Sequence, residues 1–396
     1  GVNTPASVAT DGIFILSGSD YVTIDGIDLF DGNTASSTEM MECGYGLFKV
    51  DATNGCQNNT IKNCVITLNR NNNLAWAVGH NGSIGITVNN ATYAAKVALT
   101  VTATTGSNSN NKFYTNTIQN CNAGFCFLGF AAVSPFDLGD TNNDVGGSSA
   151  STGNNVLNFG GGTGATQPSN GIFGMNQWGL NCSFNIVNNN NGSGVNHITT
   201  LRGIYFNSSS TSASVNINNN TVTIKGGGTT SQVSCIESAF GSTAANNTVN
   251  INNNTITNCT NATNTSGTWY GIWNNGASAA NLNINNNTFT NNSNASTSGT
   301  TYLIYNSGAV TTNVNINSNN LSYNWNGTSV NSATNYMIYN STGTTTTNLT
   351  ISNNNVSNIS FTNTSTGSFY NYYYSGSQSS VLVNNNHLTN LTLNNS

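Results

Sequence analysis

Hydrophobic and polar residues alternate in short blocks through the second half of the chain, and each block recurs about every 32–35 residues. The first block reads Val-Asn-Ile-Asn-Asn-Asn-Thr-Val at residues 215–222. Related blocks begin at Val249, Leu282, Val314, Leu349 and Val381. Alternation with a period of two is typical of a half-buried β-strand. The Asn run predicts a bend, because Asn tolerates left-handed backbone angles.

A second strand recurs between these blocks with the same period. Its central positions are Ile204, Ile236, Ile272, Ile304, Ile338 and Tyr372. A single unit of this size cannot bury its apolar face, so stacked units must share one continuous core. The repeat therefore predicts an all-β parallel β-helix solenoid with coils of about 32–35 residues in the second half. Stacked Asn side chains are expected to form hydrogen-bonded ladders between coils.

The first half shows weaker signs of the same solenoid. The sequence Thr-Ile-Lys-Asn-Cys at residues 60–64 returns in modified form at 117–121 and 255–259. Long insertions are expected at 76–106, 131–164 and 188–196. We therefore expect one domain over residues 1–396, with irregular coils over 1–200 and regular repeats over 201–396. No capping pattern is visible at the end of the sequence, so we expect a fragment of a longer chain or a molecule stacked there.

The region near the start carries a family resemblance. Residues 19–27 read Ser-Asp-Tyr-Val-Thr-Ile-Asp-Gly-Ile, and strand-like segments follow at 41–48 and 51–70. This stretch resembles the coils of right-handed parallel β-helix proteins of the pectate-lyase-like superfamily, within large surface proteins secreted by Bacteroidetes-type bacteria. The resemblance implies a right-handed β-helix that is secreted or held at the cell surface. It does not imply an enzyme, because that superfamily also includes adhesins and structural fibres.

Charged residues are rare, at 5% of the chain against roughly 25% in ordinary domains. The net charge is −5, and no Asp, Glu, Lys or Arg follows Glu237. Nucleic acid and anionic membranes are therefore poor partners. No run of about 20 apolar residues predicts membrane insertion.

Eight cysteines are present, and three of them follow Asn at the same position of the repeat. That position predicts small inward-facing residues with free thiols. Local disulfides between Cys43 and Cys56, or between Cys121 and Cys126, are the alternative in an exported protein.

Catalytic candidates come from the carboxylates concentrated near the start. If the protein is a carbohydrate-active enzyme, Asp25, Asp28 and Arg70 are the expected catalytic residues. Paired carboxylates serve polysaccharide hydrolases, and a basic residue with acidic calcium ligands serves lyases. The favoured interpretation is that these carboxylates are turn and solubilising residues, since no charged groove continues along the later coils.

A metal site is a weaker possibility. Asp137, Asp140 and Asp144 lie within eight residues and could hold calcium together with amide oxygens, although their spacing does not match an EF-hand. An Asp/Asn-rich turn explains the same residues, and no other cofactor is expected.

Aromatic residues mark the most specific candidate surface. Next to the inward Ile of the second strand, alternation places a column of aromatic side chains on the outer face, interrupted by Glu237: Tyr205, Trp273, Tyr305, Tyr339 and Tyr373. Such rings are platforms for sugars or anchors for protein contacts. The alternative is that loops cover them or that they face inward.

The sequence favours a non-catalytic function. We expect an extracellular structural or adhesive β-helix that forms a surface fibre, stalk or filament. Its expected partners are other copies of itself or neighbouring repeats, packed end to end or side by side, and polysaccharide. The alternatives are a polysaccharide lyase or glycoside hydrolase, and a carbohydrate-binding module.

Overall fold

The computed structural model describes residues 11–33, 40–72, 80–95, 97–207, 213–241, 247–276 and 279–394. These residues form three long parallel β-sheets, and successive coils add one strand to each sheet in turn. The prediction of a parallel β-helix solenoid is therefore confirmed.

The first sheet has eleven strands among the described residues: Gly12–Ser17, Cys43–Lys49, Ile84–Thr92, Ala123–Leu128, Ser169–Met175, Leu201–Phe206, Val233–Ser238, Trp269–Asn274, Thr301–Asn306, Asn335–Asn340 and Phe369–Tyr374. The second sheet contains Thr23–Asp25, Thr60–Lys62, Lys112–Tyr114, Asp140–Thr141, Asp144–Val145, Gln177–Ser183, Ala213–Asn218, Thr248–Asn252, Ala279–Asn285, Val310–Asn317, Asn348–Ser352 and Ser380–Asn384.

The third sheet contains Leu29–Phe30, Val65–Thr67, Thr117–Gln119, Asn155–Leu157, Ile186–Asn188, Thr221–Thr223, Thr255–Thr257, Thr260–Asn261, Thr288–Thr290, Ser293–Asn294, Asn320–Trp325, Asn355–Phe361 and His387–Thr392. Three short 3-10 helices lie in the connections: Thr104–Gly106, Ala150–Thr152 and Gly162–Gly164.

Strand pairing follows the register that the repeat predicts. In the second sheet one apolar row consists of direct partners: Ile217, Ile251, Ile284, Ile316, Ile351 and Val383. In the first sheet Ile204, Ile236, Ile272, Ile304, Ile338 and Tyr372 pair in the same way. These rows belong to one hydrophobic core that runs through the coils, in which most side chains are completely shielded from solvent.

The turn between the second and third sheets is built on an Asn ladder. The ladder consists of Asn116, Asn154, Asn185, Asn220, Asn254, Asn287, Asn319, Asn354 and Asn386. From Asn154 onward, each side-chain oxygen accepts from both the backbone N–H and the side-chain amide of the Asn one coil earlier, as Asn254 does from Asn220 at 2.9 and 3.1 Å. In most coils the residue before the ladder position is left-handed, with φ 58° at Asn219, and Asn tolerates this conformation.

All eight cysteines are buried free thiols, which confirms the prediction made from the repeat. Burial raises the pKa of the Cys121 and Cys126 thiols to about 12, so both stay protonated at neutral pH. The two proposed local disulfides are absent.

Two predicted insertions are wrong in part. The segment 76–106 contains the strand Ile84–Thr92, which pairs with first-sheet strands on both sides, and the segment 131–164 contains three short strands. The reason is coil length. The consecutive partners Cys43, Ile84, Ala123 and Asn170 lie 41, 39 and 47 residues apart, which hides the regular period. The third predicted insertion, 188–196, contains no strand beyond Asn188.

The last described coil exposes the side chains that continue the core. Val383 is 44% exposed and Leu388 is 42% exposed, whereas their partners Ile351 and Val356 are fully buried. Among the described residues, no helix is long and apolar enough to cross a membrane.

Candidate functional site

The first-sheet strands of the second half break the alternation of inward and outward residues. In Trp269–Asn274 both Gly271 and Ile272 are buried, so the outward positions are Tyr270 and Trp273, three residues apart. The same burial pattern recurs in Thr301–Asn306 and Asn335–Asn340. Each of these strands therefore presents two side chains, three residues apart, on the outer face of the first sheet.

These outward positions carry aromatic rings on four successive coils. We call the set the aromatic array: Tyr270, Trp273, Tyr302, Tyr305, Tyr336, Tyr339, Tyr370 and Tyr373. The two rings of one coil lie 4.2 Å apart for Tyr270 and Trp273, and 4.4 Å apart for Tyr302 and Tyr305, measured between centroids. Along the solenoid, Tyr302 lies 5.3 Å from Tyr270 and 5.1 Å from Tyr336.

The rings of the array cover each other's faces. Tyr302 is tilted by only 6° from Tyr270 and by 4° from Tyr336, and parallel rings at such centroid distances must overlap face to face with an offset. In the last coil the Tyr373 ring turns away, by 58° from Tyr339 and 53° from Tyr370, and Tyr370 and Tyr373 are each 37% exposed. Most of the array therefore presents ring edges and hydroxyl groups, and not ring faces, to solvent.

Burial suppresses the ionisation of two phenols of the array. Burial raises the pKa of the Tyr270 phenol to about 12, and it raises that of Tyr302 further. Polar contacts hold three of the rings: Trp273 Nε1 donates to Ser307 Oγ at 2.9 Å, Ser341 Oγ donates to the Tyr305 hydroxyl at 3.3 Å, and the Tyr339 hydroxyl lies 3.3 Å from Ser375 Oγ.

The array consists of two columns of rings, one that begins at Tyr270 and one that begins at Trp273, and the sequence analysis identified only the second. It placed Trp273, Tyr305, Tyr339 and Tyr373 on the outer face, and the structure places all four there. Strict alternation would place Tyr270 and the rings that pair with it on the inner face, because alternation allows no two successive inward residues. The available signal was the recurrence of two aromatic residues three apart in four successive coils, at 270, 302, 336 and 370 and again three residues later.

Tyr205 lies on the same face but outside the array. Its register partner is Glu237, which separates it from Trp273. The Arg202 guanidinium lies 4.1 Å from the Tyr205 ring centre, and Arg202 Nε donates to Glu237 Oε2 at 2.7 Å. Glu237 Oε1 accepts from Asn275. The ion pair between Arg202 and Glu237 thus lies at the end of the aromatic array that is nearer the start of the chain.

The three catalytic candidates have other contacts. Asp25 forms an ion pair with Lys62 at 3.1 Å, and its pKa is lowered by hydrogen bonds from Asn63 and Lys62. Asp28 accepts from the backbone N–H of Val65 at 2.7 Å. Both carboxylates are exposed at the turn between the second and third sheets, whereas Arg70 follows the third-sheet strand and lines a cavity that neither Asp reaches. The structure does not bring the three residues into one cleft.

The carboxylates of the expected calcium site also diverge. Asp140 is buried beside Lys49 at 3.5 Å, and burial raises its pKa. Asp144 accepts from Tyr114 and from Asn181, while Asp137 is exposed. Over the described parts of the chain, no three His, Cys, Asp or Glu side chains converge in a way that could hold a metal ion.

Comparison with known proteins finds no matching family model, no similar curated protein and no similar solved structure. The superfamily and the bacterial group suggested by residues 19–70 therefore stay predictions. The fold itself is established by the strand register and the Asn ladder.

Proposed function

We propose that this chain is a non-catalytic, extracellular structural or adhesive rod, and that the aromatic array is its contact surface. The array itself supports this proposal most strongly. It places eight aromatic side chains on one wall over four coils. Partly exposed aromatic residues in such numbers are typical of surfaces that bind a partner.

The charge distribution supports packing of one rod against another. No Asp, Glu, Lys or Arg follows Glu237, so two copies that meet through these coils bury no ion and suffer no like-charge repulsion. We therefore infer lateral contacts through the array.

Electron microscopy at increasing protein concentration tests this function. We expect rods that associate side by side. The substitutions Tyr305→Ser and Tyr339→Ser together should reduce side-by-side packing. Wild-type particles that remain single at high concentration would argue against a structural role.

A carbohydrate-binding module is the second candidate, and the exposed rings Tyr370 and Tyr373 favour it. This function predicts that an insoluble polysaccharide retains the protein without being degraded. Retention should fall when Trp273 or Tyr373 is replaced by Ala. Release of soluble sugar by the wild-type protein would instead support the enzymatic alternative.

A further inference from the structure

A lysine and an aspartate meet inside the early coils with no access to solvent. Lys49 Nζ lies 3.5 Å from Asp140 Oδ1, and both side chains are completely buried. Lys and Asp side chains are seldom fully buried, because the removal of two charges from water costs more than an exposed ion pair returns. Only 5% of the chain is charged, so the burial of this pair is a specific feature and not a by-product of composition.

A change of register at the end of a strand directs Lys49 into the interior. The strand Cys43–Lys49 pairs regularly with the next first-sheet strand as far as Phe48, and the register shifts between Phe48 and Lys49. A bulge of this kind redirects the side chain beside it. Lys49 Nζ then donates to the carbonyl of Gly106 at 2.5 Å. A Cβ at Gly106 would collide with the carbonyl oxygen of Ala52, so this approach requires glycine.

The carboxyl group of Asp140 is held from two sides. The backbone N–H of Asn108 donates to Asp140 Oδ1 at 2.8 Å, and Gln177 Nε2 donates to Asp140 Oδ2 at 3.4 Å. Gln177 is itself positioned, because its Oε1 accepts from the Asn143 side-chain amide at 2.8 Å. Donors beside both oxygens stabilise the negative charge of a tetrahedral centre that forms at the carboxyl carbon. The interior therefore places an amine beside a carboxyl group whose oxygens are already polarised.

The absence of solvent favours an uncharged form of the pair. Burial raises the pKa of the Asp140 carboxyl group, and the nearby Lys49 opposes this shift. Transfer of one proton from the Lys49 ammonium to the Asp140 carboxylate gives an amine and a carboxylic acid, and it removes two charges from a site without water. An amine and a carboxylic acid are the forms that condense to an amide.

We propose that Lys49 and Asp140 are joined by an intramolecular isopeptide bond. Lys49 Nζ attacks the carboxyl carbon of Asp140, so that a C–N bond forms and the C–O bond to the acid hydroxyl breaks. The hydroxyl takes one proton from the amine and leaves as water, and no oxidant, metal or second reactant is consumed. The short distance and the fixed partners of both groups supply the proximity that such a condensation needs.

The product is a neutral amide that connects two coils of the irregular half. Lys49 ends the first-sheet strand of the second described coil, and Asp140 follows the first-sheet strand of the fourth, Ala123–Leu128. A covalent link between distant segments limits the conformations of the unfolded chain and so stabilises the fold. This bond is independent of the aromatic array, so either proposal can fail while the other stands.

A second lysine–aspartate pair separates the effect of burial from that of proximity. Lys62 Nζ and Asp25 Oδ2 are closer together, at 3.1 Å, but the two side chains are 37% and 50% exposed. Water stabilises the charged ammonium and carboxylate at such a site, so we expect no amide between Lys62 and Asp25.

Mass spectrometry of the intact, denatured protein tests the isopeptide bond. We expect the wild-type chain to be lighter than its sequence by one water molecule. Lys49→Met and Asp140→Ala should each have the full mass of their own sequences. Lys62→Met is the matched control, because it removes the lysine of the exposed pair, and it should still be lighter by one water molecule. A wild-type chain of full mass would overturn the proposal.

Peptide mapping of the wild-type protein locates the lost water, because a succinimide at an Asp-Gly sequence such as residues 25–26 loses the same mass. A pepsin digest should contain a branched peptide that joins Lys49 to Asp140, and hydroxylamine, which opens succinimides, should leave it intact. This result does not depend on whether the variants fold. Recovery of the full mass after hydroxylamine treatment, or the same loss of water in Lys49→Met, would contradict the proposal.

Discussion

Between Ile84 and Phe173 the outward side chains of the first sheet are buried, whereas between Tyr270 and Tyr373 the same positions carry partly exposed rings. We call the first set the covered face: Ile84, Thr87, Ala123, Cys126, Asn170 and Phe173. Its apolar members form a separate hydrophobic cluster outside the main core. The His80 ring packs against it, 5.9 Å from the Phe173 ring.

The two regions shield the outer face of the first sheet from solvent in different ways. A parallel sheet exposes its outer face unless another layer covers it. In the early coils the His80 ring packs on this face beside Phe173, and most of the outward residues are small or apolar. In the later coils the rings cover one another, so no second layer is required. Arg202 and Glu237 lie between the covered face and the aromatic array.

Phe173→Ala should have the largest effect on stability. The Phe173 ring is 8% exposed and contacts both His80 and Tyr205, so its removal leaves a cavity beside His80. We expect a loss of about 3–4 kcal/mol in the free energy of unfolding. Urea titration measures it. A loss below about 1 kcal/mol would show that the covered face is loosely packed.

Acidification should have the next largest effect on stability. Burial lowers the pKa of His80 and of His197 to about 4, whereas both titrate near 6.5 in the unfolded chain. The unfolded chain therefore takes up these protons first as the pH falls. Stability should decrease from about pH 6.5 down to about pH 4, by at most about 3 kcal/mol for each histidine.

Unfolding midpoints measured between pH 7 and pH 4 check this slope. His80→Phe keeps a ring beside Phe173 but cannot titrate, so it should remove about half of the decrease. His387→Phe is the control, because His387 is exposed. A pH profile that His80→Phe does not alter would contradict the burial of His80.

Tyr305→Ala should cost less than Phe173→Ala. Tyr305 is partly exposed and loses its stacking contacts with Tyr302 and Tyr339, at 4.4 and 4.9 Å. We expect about 1–2 kcal/mol, also by urea titration. Tyr305→Phe keeps the stack and should stay within about 0.5 kcal/mol of wild type. Equal losses in Tyr305→Ala and Tyr305→Phe would show that the hydroxyl, and not the stack, stabilises this face.

The regular coils were predictable because local pattern and global fold agree there. The Ile217 row and the Asn ladder both follow from the repeat, since identical residues one period apart must stack in a solenoid. The column headed by Tyr270 was missed because two successive inward residues, Gly271 and Ile272, break the period of two. The contact between Lys49 and Asp140 was not predictable, because it depends on the register shift after Phe48 and joins segments that are far apart in the sequence.

The central claim is that neighbouring coils lie in register, and paired cysteine substitutions test it most directly. Asn250 and Asn283 are direct partners on the second sheet, joined by a side-chain hydrogen bond of 2.8 Å. A disulfide requires Cα atoms about 4.4–6.8 Å apart. Asn250→Cys with Asn283→Cys should therefore cross-link under mild oxidation, detected by mass spectrometry, while Asn250→Cys with Asn285→Cys should not. Preferential cross-linking of the second pair would contradict the register and, with it, the stacked solenoid.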